Sequence, residues 1–147
     1  MPYSYDYPRS MLTTDCVLFS AIEGDLNILL IQRDKSPFEG SWALPGGFME
    51  IDETLENAAY RELKEETGIT SIKLKQLGIF DKPGRDPRGR VISVAFYALL
   101  DKHVLPKAAS DARQARWFSF NNLPPLAFDH AEIIALAVQQ IVAKKTD

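Results

Sequence analysis

The chain has 147 residues, 46% hydrophobic and 25% charged, which is the size and balance of one domain with a sizeable core and leaves no room for a second. Lys and Arg number 17 against 20 Asp and Glu, a formal net charge of −3. That balance lacks the positive surface that steers a protein onto a nucleic-acid backbone, and it disfavours nucleic acid as a partner.

The N-terminus, with Pro2, Tyr3, Tyr5, Tyr7 and Pro8, has no helical period and reads as an extended arm over residues 1–12. It also lacks the charged-then-apolar order of a signal peptide, and no run of about 18 apolar residues follows. A cytoplasmic protein with no membrane partner is expected. Val17 to Ile22 and Asn27 to Gln32 are apolar runs separated by Glu23-Gly24-Asp25, the pattern of a β-hairpin. Cys16 at its start cannot close an internal disulfide and reads as a small buried hydrophobe. Ser36 to Gly47, holding Pro37, Gly40, Pro45, Gly46 and Gly47, reads as a shaped loop.

From Thr54 to Thr67 strong helix formers dominate, with Asp52 as candidate cap and Gly68 as left-handed terminator. Leu55, Ala58, Ala59 and Leu63 form its apolar face. Strand patterns follow at Ile72 to Phe80, Val91 to Leu100 and Ala115 to Phe118, and a second amphipathic helix runs from about Asp129 to Lys144. Strands interleaved with two helices predict a mixed α/β layer fold. Trp117 reads as core, His103 as an exposed loop residue, and Asp129 beside His130 as a helix cap rather than one half of a catalytic dyad.

The charge is unevenly distributed. Between Glu50 and Glu66 seven acids stand against Arg61 and Lys64, a local balance of −5, so the remainder is +2. Offsets of three and four residues bring Glu62, Glu65 and Glu66 to one helical edge. Such hard oxygen donors, with no Cys or His cluster, suit Mg²⁺ or Mn²⁺ rather than zinc. Arg61 among them could pair with Glu65 or orient the carboxylates.

Gly47, five residues, Glu53, seven residues, then Arg61-Glu62-Leu63-Lys64-Glu65-Glu66-Thr67-Gly68-Ile69 resembles the Nudix box without departure. The likeness to Nudix hydrolases runs from the hairpin through Trp42-Ala43-Leu44-Pro45-Gly46-Gly47-Phe48 to the last helix. It implies an α/β/α sandwich with a mixed β-sheet, and metal-dependent cleavage of a nucleoside diphosphate linked to another moiety. By the resemblance Glu65 and Glu66 are the main metal ligands, Glu62 a further carboxylate, and the Gly46 carbonyl a metal contact. Arg61 and Glu53 support the loop-helix geometry. The base is Glu62 or a residue of a downstream loop; Asp111 is the nearest acid there, while Gln114 stands where many related sequences carry a glutamate.

The segment from Phe80 to Ser93, with Pro83 about fifteen residues beyond the box and Arg85, Arg88 and Arg90 beside it, resembles ADP-ribose pyrophosphatases. Forked arginine hydrogen bonds suit phosphates and ribose hydroxyls. Candidate substrate contacts are Arg33, Trp42, Pro83, Arg85, Arg88 and Arg90, with Trp42 equally readable as core. A nucleotide-sugar substrate, ADP-ribose yielding AMP and ribose 5-phosphate, is the first expectation. A hydrolase of modified nucleoside triphosphates and a non-catalytic ADP-ribose-binding domain are the alternatives. Phe128-Asp129-His130 is reminiscent of Nudix-related regulators of NAD metabolism, whose additional winged-helix domain has no counterpart in these 147 residues. The Tyr-rich arm and the resemblance suggest a homodimer.

Overall fold

The computed structural model describes residues 2–102, 104–106 and 112–145; His103 and Asp111 lie outside them. Seven strands form one sheet, β1 (Met11–Ile22), β2 (Asp25–Arg33), β3 (Trp42–Ala43), β4 (Gly46–Phe48), β5 (Lys75–Phe80), β6 (Val91–Leu100) and β7 (Ala112–Ser119), with helices α1 (Leu55–Thr67) and α2 (His130–Lys145). The sheet order is β3-β2-β1-β6-β5, with β4 on β1 and β7 on β2. β1 and β6 run parallel, from Met11 opposite Val91 to Ser20 opposite Leu100, and the other pairings are antiparallel.

The centre of β1, Cys16 to Phe19, reads as an unbroken apolar run because it is buried on both faces. Its alternate residues point opposite ways. Val17 and Phe19, with Ile28, Leu30, Ala95 and Tyr97, pack on Ile133, Ile134, Ala137 and Ile141 of α2. Cys16 and Leu18, with Leu29, Val94, Phe96 and Ala98, pack on Ala59 and Leu63 of α1. The result is the expected α/β/α sandwich with a mixed sheet. Burial of Leu63 alone contributes about 2 kcal/mol. Cys16 is fully buried, as expected, and burial pushes its thiol well above the usual value.

Several boundaries differ from the sequence reading. The arm gives way to β1 at Met11, since Met11 and Leu12 already pair with Val91 and Ile92; Tyr3, Tyr5 and Tyr7 before it are exposed. Thr54, not Asp52, caps α1: it is the last extended residue, and its Oγ1 accepts from the Asn57 N–H at 3.0 Å. Gly68 terminates the helix at φ 74° as expected. β5 begins at Lys75 rather than Ile72, because Ser71 turns the chain at φ 60° and Leu74 dives into the α1-side core. The glycine loop contains the two short strands β3 and β4. A Cβ on Gly46 would lie 1.9 Å from the Thr14 carbonyl oxygen, so only glycine lets β4 pair with β1 at this separation.

Candidate active site

The start of the site is a guanidinium ringed by carboxylates. Arg61, nearly two turns into α1, donates from Nε and Nη2 to Glu53 at 3.0 and 2.6 Å, from Nη1 to Glu62 at 2.6 Å and to Glu65 at 3.4 Å, and from Nη2 to the Phe48 carbonyl at 3.0 Å. Helical spacing carries Glu65 to the guanidinium from one turn on, the adjacent Glu62 reaches it too, and Glu53 comes from the segment before the helix. The bond from Arg61, aided by the Glu50 N–H, holds the Glu53 carboxyl below its usual range, and the same pairing raises Arg61. Arg61 thus ties the end of β4 to the acid face of α1.

Glu66 is buried, and its Oε1 accepts from the Gly46 N–H at 2.7 Å. The Glu62 carboxylate fills the space above Gly47, where a Cβ would come within 2.6 Å of its carboxyl carbon. The two glycines have separate reasons: Gly46 admits the strand and Gly47 admits the carboxylate.

A cavity of about 470 Å³ opens here, lined by Gly46, Arg61, Glu62 and Glu66 together with Arg33, Arg85 and Arg88. The arginines come from the end of β2 and from the loop between β5 and β6. Arg85 is held by a bidentate pair with Asp129, Nε to Oδ2 at 2.9 Å and Nη2 to Oδ1 at 2.7 Å. Burial disfavours the charge on Arg85, but the Asp129 carboxylate outweighs it and raises the pKa. Arg88 pairs with the buried Asp86 at 2.8 Å. Burial opposes the Asp86 charge as well, yet the Arg88 bonds hold that carboxyl below its ordinary value. Burial and then the neighbouring Arg88 lower Arg33. Both Arg33 and Arg88 lie by the ring of Phe128, at 5.0 and 5.1 Å. Phe128 itself sits at φ 51°, a conformation costing a bulky residue about 1–3 kcal/mol that persists where surroundings over-determine it, often at functional sites. Its ring is held edge-on by Phe38 at 4.9 Å.

Other expected site residues stand outside the cavity lining. Glu65 is 45% exposed and Glu53 supports Arg61 from outside the cavity lining. Trp42 is buried, edge-on to Phe118 at 4.7 Å, and belongs to the α2-side core. Pro83 lines a separate hollow of about 200 Å³ with Lys82 and Glu132, and Arg90 is exposed, donating to the Asp81 carbonyl. Among the described residues no three acid, His or Cys side chains converge closely enough to hold a metal ion.

The sequence reading gave no site role to Asp15, Asp86, Phe128 or His130, all of which line the cavity. His130, read as ordinary, is buried at 4% exposure: its Nε2 faces Asp15 Oδ1 at 3.3 Å and its Nδ1 accepts from the Leu44 N–H at 3.0 Å. Asp129 holds the cap position with its carbonyl toward Glu132 and Ile133, while its carboxylate serves Arg85. The two neighbours form no dyad.

Known proteins resemble this chain in sequence and in fold. The chain is 52% identical over 113 residues to an ADP-ribose pyrophosphatase of Methanocaldococcus jannaschii, covering 77% of this chain and 66% of that protein. It is 36% identical over 140 residues to the ADPR responsive transcriptional repressor NtrR of Acinetobacter baylyi, covering 92% of this chain and 56% of the repressor. The chain thus spans between half and two thirds of these relatives' length. Among solved structures, the NUDIX domain of Shewanella oneidensis NrtR complexed with ADP ribose superposes with a TM-score of 0.87 at 33% identity, covering 93% of this chain and 94% of that one. No helix among the described residues is long and apolar enough to cross a membrane. The NUDIX domain model matches residues 10–137, nearly the whole chain and every element of the cavity, and the chain belongs to the Nudix family.

Proposed function

We propose that this protein hydrolyses ADP-ribose to AMP and ribose 5-phosphate with Mg²⁺ or Mn²⁺. The observation that carries the reading is one cavity lined both by carboxylates of α1, Glu62 and Glu66, and by the arginines Arg33 and Arg88. A diphosphate needs both, cations for its oxygens and a metal held by hard donors. The names of relatives and of the superposed structures support the substrate: an ADP-ribose pyrophosphatase, a NUDIX domain complexed with ADP ribose, and a bifunctional NMN adenylyltransferase/ADP ribose pyrophosphatase of Francisella tularensis complexed with AMP and Mn.

The donor chemistry fits a divalent ion. Glu62 and Glu65 already meet at one positive group, Nη1 of Arg61, and with Glu66 and the Gly46 carbonyl they offer oxygen alone. When bound, such an ion neutralises diphosphate oxygens and lowers the pKa of a water. Arg33 and Arg88 bind and orient the diphosphate; Arg85, locked by Asp129, fixes the loop that carries Arg88. Arg61 and Glu53 hold the acid edge of α1 against the end of β4. Glu62, in the cavity and over Gly47, is the base in this reading. Two protomers associate through the exposed tyrosines of the arm, which light scattering checks.

Purified protein with Mg²⁺ or Mn²⁺, offered ADP-ribose, dinucleoside polyphosphates, NADH and oxidised dGTP with products separated by chromatography, tests the reading. ADP-ribose should be the preferred substrate. Faster release of pyrophosphate from the triphosphate would replace it with a nucleotide-cleansing role, and saturable ADP-ribose binding without AMP release with a regulatory one.

A further inference from the structure

A chain of buried polar contacts runs along one wall of the cavity and ends on the segment that presents Gly46. Ser93 of β6, fully buried, donates from Oγ to Asp15 Oδ2 on β1. Asp15 Oδ1 faces His130 Nε2 at 3.3 Å, and His130 Nδ1 accepts from the Leu44 N–H at 3.0 Å. Because the Leu44 N–H donates to Nδ1, that nitrogen presents its lone pair to the backbone, and Nε2 is the edge turned to Asp15. Hydroxyl and imidazole meet the two oxygens of one carboxylate, and the imidazole's other nitrogen receives a backbone donor.

The receiving segment is tied at three successive residues. The Leu44 N–H goes to His130, the Pro45 carbonyl accepts from the Cys16 N–H at 2.8 Å, and the Gly46 N–H goes to Glu66 Oε1 at 2.7 Å. Two of these ties come from β1 and α1. The third, from the first residue of α2, spans 86 positions of sequence. It is the side-chain tie immediately upstream of the contact between Gly46 and Glu66.

We infer that His130, oriented by Asp15 and Ser93, is a positioning residue that sets the Leu44-Pro45-Gly46 backbone and through it the Glu66 carboxylate. The inference rests on the proposed hydrolysis for its kinetic consequence only. His130 touches neither the scissile group nor a metal in this account; it acts through Leu44. A residue acting on a site in this way changes activity by about 10- to 100-fold when removed, and the change falls on kcat because the arginines that bind the diphosphate are untouched.

The test compares His130→Asn with His130→Gln. The Asn carboxamide sets an acceptor near the Nδ1 position and can keep Leu44, whereas Gln extends toward Asp15 in place of Nε2 and leaves Leu44 without its acceptor. Backbone hydrogen exchange of Leu44 and Gly46, read by NMR, is measured beside kcat and KM. The expected result is faster exchange at both amides in His130→Gln with kcat down about 10- to 100-fold and KM changed less, and substantial recovery of both in His130→Asn. Unchanged Gly46 exchange in His130→Gln overturns the inference, as does an equal kcat loss in both variants, which is the mark of packing alone. If His130→Asn does not fold, Gly46 exchange in His130→Gln decides. If the wild type releases no AMP from ADP-ribose, the proposed activity fails, and the exchange comparison still decides the positioning role.

Discussion

Arg85 and Asp129 clasp each other through two hydrogen bonds across 44 residues of sequence, with the arginine side chain only 4% exposed and the aspartate 13%. The pair fastens the loop between β5 and β6 to the start of α2, and so fixes where Arg88 enters the cavity. Breaking one side of such a buried pair leaves an uncompensated charge. Asp129→Asn should therefore lower stability by about 3–5 kcal/mol in urea unfolding, whereas replacing both residues by Met and Leu should cost far less. A loss below about 1 kcal/mol in the single variant, the range of an exposed ion pair, contradicts this account.

The two glycines of the β4 strand make opposite demands. Gly46→Ala drives a methyl into the Thr14 backbone at 1.9 Å, which has nowhere to move, so unfolding measurements should show a loss of about 3 kcal/mol. Gly47→Ala meets the end of the Glu62 side chain, which can swing aside. That variant should stay within about 1 kcal/mol of wild type and lose turnover. Equal stability effects at the two positions would sink the distinction.

How much of this was legible in the sequence depended on distance along the chain. The helix, its Gly68 stop and the convergence of Glu62, Glu65 and Arg61 follow from spacings of a few residues. Strand patterns interleaved with two helices gave a mixed α/β layer fold, and the resemblance to Nudix hydrolases gave the sandwich. The cap was misassigned by two residues, since Asp52 and Thr54 are both good caps and only backbone geometry chooses. The contacts of Asp15 and His130 stayed hidden for another reason. Asp15 meets Ser93 across 78 residues and His130 meets Leu44 across 86, and no local pattern records such pairings. Trp42, open to two readings beforehand, packs into the core.

The Asp86 carboxyl gives a pH signature. Burial alone would raise it, but Arg88 holds it below the ordinary 3.8, so the folded state favours the ionised form. Its contribution to stability is complete above 3.8 and is lost as pH falls through the lower folded value. Asp86→Asn should cost about 1–3 kcal/mol at neutral pH, and this gap from wild type, read from urea midpoints, should close on acidification. A gap that widens in acid would reverse the sign.

Arg33 and Arg88 contribute binding in this reading, whereas Glu62 and Glu66 contribute chemistry. Arg33→Ala and Arg88→Ala should each raise KM for ADP-ribose by about 10-fold or more, the worth of a hydrogen bond to a charged group, with a smaller change in kcat. Steady-state kinetics at fixed Mg²⁺ check the split; a fall in kcat at constant KM would move the arginines into the chemical step.

The most direct measurement is AMP formation from ADP-ribose with Mg²⁺ by wild type and by Glu66→Gln, each with and without EDTA. The account predicts AMP and ribose 5-phosphate in equal amounts from wild type, abolished by EDTA, and a fall of roughly 100-fold or more in the variant, the scale expected for losing a metal-holding carboxylate. Glu66→Gln turning over at the wild-type rate, or AMP release that survives EDTA, would contradict it.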